Sequence, residues 1–223
     1  MKVLNLKTVG IAIALVAATS AANAGFVPVD GGGTPQSTIP IVGNNDFRTT
    51  LAGIGVTSYT LGASLGVNEA GSVTYYYYGK EAGYLNVFNA GALSYSSGFT
   101  PTSQSSFPNG ILIGSVAAAS NSLLDFNFCA YSAPNVQVGK CISNAANDGL
   151  GLGSFQSIAF SVAGNVAWLF WDDSGAGPDD NHDDMLIKAV FTPRSVPEPA
   201  TLGLFGLGLL GAWVAGRRRI RKA

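Results

Sequence analysis

The chain predicts a mainly β fold, an antiparallel β-sandwich or jelly-roll-like domain, and three observations carry that expectation. Short runs rich in β-branched and aromatic residues recur along its middle, each bounded by Gly, Pro, Asn or Ser. No segment there holds a helical period beyond a turn or two, residues 116–122 being the best short candidate. Charged residues are 11% of the chain against about 25% in typical domains, while hydrophobic residues reach 47%, so the chain is not held unfolded by charge. Many short strands with such turns suit a sandwich; a closed barrel is the alternative.

At the N-terminus, Lys2 and Lys7 precede an apolar stretch from Val9 to Ala18. Ala22-Asn23-Ala24 then places small residues, Ala22 and Ala24, at the two positions that signal peptidase reads. Residues 1–24 are therefore expected to be a signal peptide, cleaved to leave Gly25 first. Residues 25–45 are rich in Pro, Gly and Thr without lasting periodicity, and a loose leader is expected there.

A β-rich domain is expected over residues 46–195. Residues 56–61 and 72–78 read as strands, 79–83 as a turn, and 84–88 as the returning strand of a hairpin. In the run Tyr75-Tyr76-Tyr77-Tyr78, neighbouring rings point to opposite faces, so cross-strand packing accounts for them better than a carbohydrate-binding platform. Residues 94–110 read as a long loop, 111–116 and 123–130 as strands, and 143–153 as turn. The clearest pattern comes last: strands at 157–162 and 166–171 around a Gly164-Asn165 turn, an acidic loop, and a strand at 185–191.

Cys129 and Cys141 lie 12 positions apart. In an exported domain the oxidising compartment makes a disulfide the expectation, and a loop of that size contributes roughly 3 kcal/mol. A metal-binding pair is the alternative, although zinc sites usually need four close ligands and the chain has 1 His.

From Gly25 to Ser195 there are five cations, Arg48, Lys80, Lys140, Lys188 and Arg194, against twelve acids, a net charge of −7. The two basic ends hide it in a whole-chain value of −1. Nucleic acid is not an expected partner, because phosphate binding draws on clustered Lys and Arg.

Six of the twelve acids fall within residues 172–184: Asp172, Asp173, Asp179, Asp180, Asp183 and Asp184, beside Asn181 and His182. Their mutual repulsion makes the loop a candidate for a hard cation. Ca2+ takes six to eight oxygens in flexible geometry, and Asp179, Asn181 and Asp183 supply side-chain oxygens at alternating spacing. The EF-hand pattern fails, since Asp184 stands where that loop needs its turn glycine and Val190 where it needs Glu. A site here would be completed by Asp172, Asp173, Asp184 or backbone carbonyls; the alternative is a solvated turn.

The C-terminal segment, 196–223, has three parts: a Val196-Pro197-Glu198-Pro199 box, an uncharged run over 200–216, and a basic tail, 217–223, with Arg217, Arg218, Arg219, Arg221 and Lys222. At about 1.5 Å per residue the run reaches roughly 25 Å, the short end of what spans a hydrocarbon core. One transmembrane helix is expected, with its cations held on the cytoplasmic side and the domain outside.

In order and spacing these parts resemble the PEP-CTERM sorting signal of Gram-negative bacteria. The resemblance implies export through the inner membrane and recognition of Pro197, Glu198 and Pro199 by exosortase, a membrane transpeptidase-like protease. That enzyme would remove the tail and leave the protein at the cell surface or outside it. The segments 171–185 and 78–84 are also similar to segments of other PEP-CTERM ectodomains, and association with exopolysaccharide and biofilm is implied by the resemblance alone.

Catalysis is not expected. Gly62-Ala63-Ser64-Leu65-Gly66 matches the nucleophile-elbow pattern, with His182 following in α/β-hydrolase order, but that elbow needs a strand, a sharp turn and a helix. The segments here read as a β-meander, and no pair of acids stands out as a glycosidase pair. The expectation is an exported structural or binding protein with no certain cofactor beyond the candidate Ca2+. A surface hydrolase acting on polysaccharide or ester, and a permanently anchored single-span membrane protein, are the alternatives.

Overall fold

A computed structural model describes residues 24–30, 37–41, 43–99, 109–147, 156–173, 182–194 and 206–208. The first half contains β1 (Phe26–Asp30), β2 (Ser37–Pro40), helix α1 (Arg48–Gly53), β3 (Ser58–Leu61), β4 (Ala63–Val67), β5 (Gly71–Gly79), β6 (Leu85–Ala90) and β7 (Leu93–Ser96). The second contains β8 (Ile111–Ala118), β9 (Ser122–Leu123), β10 (Phe126–Ala133), β11 (Val136–Ser143), β12 (Ser157–Ala163), β13 (Val166–Asp172) and β14 (Met185–Pro193).

All the pairings are antiparallel. They build a seven-stranded sheet in the order β2-β3-β12-β13-β14-β5-β8, a four-stranded sheet β11-β10-β6-β7, and a three-stranded sheet β1-β4-β9. One core lies between the seven-stranded sheet and the two smaller ones, joining Leu65, Tyr75, Phe88, Phe126, Phe128, Phe160, Trp171 and Phe191. A second core covers the outer face of the large sheet, where Phe47 and Leu51 of the α1 segment close over Tyr59, Trp168 and Phe170.

Burial on both faces explains the nearly unbroken apolar sequence of β13. Ala167, Leu169 and Trp171 enter the first core, and Trp168 and Phe170 the second. The tyrosines of β5 divide in the same way: Tyr75 and Tyr77 face the first core, Tyr76 and Tyr78 the second. Gly62, at φ 71°, makes the bend that carries the chain from β3 in one sheet to β4 in another.

Three expectations need correction. The leader is not loose, because β1 pairs with β4 from Phe26↔Val67 to Asp30↔Ala63, and β2 pairs with β3. These strands complete sheet edges whose backbone groups need partners. The short helix expected at residues 116–122 does not form: Val116, Ala117 and Ala118 continue β8 in register with Val73, Ser72 and Gly71. Sheet pairing overrides the helix propensity of the alanines there. Finally, β7 takes up the start of the expected long loop, and β11 forms a hairpin partner for β10 where no strand was expected.

Cys129 on β10 and Cys141 on β11 are joined as expected, with Cα atoms 4.3 Å apart. The signal peptide up to residue 23 lies outside the described residues, as do 195–205 and 209–223 of the tail. Residues 206–208 are helical. Among the described residues no helix is long and apolar enough to cross a membrane.

Candidate functional site

Strand register gathers the acids at one end of the sandwich. Ser157 pairs with Asp172, Trp171 with Met185, and Gly79 with Leu186, so the end of β5, the start of β12, the end of β13 and the start of β14 share one edge. The segment 80–84, which follows β5, therefore meets residues 172–173 and 182–184. β6 starts at the same end and brings Asn86.

Hydrogen bonds fix this end. Asn86, fully buried, donates through Nδ2 to Asp173 Oδ2 at 3.0 Å and to the Asp184 carbonyl at 2.9 Å. The Asp173 backbone N–H donates to Asp184 Oδ2 at 2.6 Å, and the Asp46 N–H to Asp183 Oδ2 at 2.6 Å. The Glu81 N–H donates to the Asp183 carbonyl at 3.0 Å. Glu81, Asp183 and Asp184 each place a carboxylate oxygen within 4.8 Å of the others. Lys80 is buried beside them and donates from Nζ to the carbonyls of Tyr84 and, at 2.6 Å, Gly98.

Charge is concentrated here beyond what one ammonium offsets. Burial, then the charge of Glu81 and Asp46, pushes the Asp183 carboxyl up to about 7 against opposing backbone hydrogen bonds from the N–H groups of Asp46 and of Asp183 itself. Burial, then the neighbouring Asp173 and Asp172, raises Asp184 as well. Burial lowers Lys80, while Asp173, Asp184 and Glu81 work to keep it charged. His182 is wholly buried, which lowers its imidazole to about 4 and keeps it neutral at ordinary pH. It sits at φ 53°, a left-handed conformation uncommon for residues other than glycine, with Nε2 sharing a 2.7 Å hydrogen bond with Ser157 Oγ.

Of the cation ligands expected from sequence, Asp172, Asp173, Asp183 and Asp184 converge here, all buried. Asp179 and Asn181 lie outside the described residues. Glu81 and Asn86 were missed as partners of the acidic loop. Only the similarity of residues 78–84 to other ectodomains singled out the Glu81 segment.

The elbow motif does not form an elbow. Ser64 lies within β4, is 1% exposed, and donates its hydroxyl to the Asn144 carbonyl at 2.5 Å. His182 meets Ser157 instead, and both are buried, so this Ser–His pair is sealed from substrate. Elsewhere, a groove of about 770 Å³ runs along the outer face of the large sheet beside α1, lined by Ile54, Ser58, Tyr78, Trp168 and Lys188 among others. The Lys188 ammonium lies 5.5 Å from the Trp168 ring centre and 5.9 Å from that of Tyr78.

The last strand of this sandwich leads directly into a recognised signal: residues 195–219 match the PEP-CTERM protein-sorting motif. The chain therefore carries a PEP-CTERM sorting motif at its C-terminal end. The motif marks it as exported, processed by exosortase and directed to the cell envelope or surface of a Gram-negative bacterium. Comparison with curated proteins and with solved structures finds no match to the chain.

Proposed function

We propose that the chain is a structural or binding component of the cell surface or extracellular matrix, working beside exopolysaccharide, with no catalytic role. The observation that carries this reading is the position of the sorting motif, which starts at residue 195, one residue after the described end of the domain at Arg194. A domain built mainly of strands around two hydrophobic cores suits a delivered module whose outer surface makes the contacts. The burial of the Ser64 hydroxyl and of the Ser157–His182 pair, the two serines that the motif and the histidine single out, supports a role other than catalysis. In this reading signal peptidase cuts after Ala24, the uncharged run over 200–216 holds the domain at the inner membrane, and exosortase removes it.

Replacing Pro197, Glu198 and Pro199 together by Ala tests the proposal in the native host. The expected result is an uncut protein retained in the inner membrane, absent from the surface and the exopolysaccharide fraction. Arrival of the triple variant at the surface in wild-type amount and size would contradict it.

A further inference from the structure

We propose that Glu81, Asp183 and Asp184 form a Ca2+ site at the end of the sandwich where β5 finishes and β14 begins. Their carboxylate oxygens lie within 4.8 Å of one another. Two oxygens on opposite sides of a Ca2+ ion bound at 2.3–2.6 Å span about 5 Å, so one ion reaches all three. The site is assembled from two places, 81 and 183–184, brought together by the pairing of β5 with β14 and by the Glu81 N–H bond to the Asp183 carbonyl.

Two buried oxygens point to a ligand independently of the acid count. Asp183 is fully buried and its Oδ2 accepts from the Asp46 N–H, yet its Oδ1 has no hydrogen-bond partner among the described residues. Asn86, also fully buried and bonded through Nδ2 to the Asp184 carbonyl, leaves its Oδ1 without a partner among the same residues. A buried acceptor left unsatisfied is costly, the more so when charged, and a cation bound at Asp183 removes that cost for its Oδ1.

The donor set selects the class of ion. Every candidate ligand is oxygen, which favours hard cations over transition metals. The nearby imidazole of His182 is engaged with Ser157, and both cysteines are in the disulfide. Lys80 stands beside Glu81, Asp173 and Asp184, its Nζ donating to the Tyr84 and Gly98 carbonyls, so it does not take up the carboxylate oxygens of the site by a direct hydrogen bond that the structure shows. Glu81 is only half-buried and supplies the route by which the ion and completing waters enter. The inference stands on this geometry and does not depend on the sorting reading.

The test uses the full chain in detergent micelles, stripped with chelator, desalted and titrated with Ca2+ by calorimetry and thermal melting. The expected result is saturable binding of one ion with a dissociation constant of about 10 µM to 1 mM, and a melting temperature that rises with Ca2+ by mass action. Glu81→Gln is expected to weaken binding at least about tenfold and to shift the Ca2+-dependent rise in melting temperature to correspondingly higher Ca2+. Asp183→Asn should weaken it further. Absence of saturable heat and of any melting shift up to about 10 mM Ca2+ would overturn the site. So would Glu81→Gln binding as tightly as wild type, which would place the ion elsewhere, or an equal shift from Mg2+ or matched NaCl, which would reduce the effect to charge screening.

Discussion

Tyr75 carries a hydroxyl into the middle of the first core. Its ring packs against Phe88 at 5.0 Å and Phe126 at 6.4 Å, the side chain is fully buried, and Oη has no hydrogen-bond partner among the described residues. Burial, with Asp125 adding to it, holds the phenol above its usual range, so it stays protonated as an unsatisfied donor. Removing a buried polar atom that has no partner gains back its desolvation penalty, about 1–3 kcal/mol at most, less a small loss of packing. Tyr75→Phe is therefore expected to stabilise the domain by about 1 kcal/mol, read as a higher urea midpoint at unchanged slope. A midpoint lowered by the same amount would mean that the hydroxyl is bonded. The sequence showed which way the four tyrosines alternate, because strand geometry dictates it; whether Oη finds a partner depends on the opposite sheet, which no local pattern encodes.

Among the elements, legibility followed burial. β13 and β14 were recognisable because both faces of the large sheet are covered, which demands unbroken apolar runs. β11 is mostly exposed along its length and leaves no apolar alternation to read. β1 and β2 each contain a Pro at a sheet edge, and their pairing is set by β4 and β3 rather than by their own propensity. The same reasoning applies to the acidic end. Asp172, Asp173, Asp183 and Asp184 form a cluster in sequence and stay one in space, whereas Glu81 and Asn86 join it only through long-range strand register. The β10–β11 hairpin carries the disulfide, and breaking it with Cys129→Ser and Cys141→Ser together is expected to cost about 3 kcal/mol of unfolding free energy. Unfolding in urea checks this, and a loss under about 1 kcal/mol would mean that the two ladders of β10 hold the hairpin without the bond.

At the scale of the whole molecule, the acidic cluster and the sorting motif lie at opposite ends of β14. β14 runs from Met185 to Pro193, and nine residues at about 3.3 Å each separate the acidic end from the exit of the sorting tail by roughly 30 Å. At that exit the Arg194 N–H donates to the Ala70 carbonyl at 2.9 Å, tying the last described residue of the domain to the start of β5. A tail removed beyond this point takes none of the described strands with it, so the domain keeps its cores, its disulfide and its acidic end. The mass of the mature protein isolated from its native host tests this account most directly. The account predicts a chain that begins at Gly25 and lacks the residues beyond the Pro197-Glu198-Pro199 box; a chain that ends intact at Ala223 would contradict it.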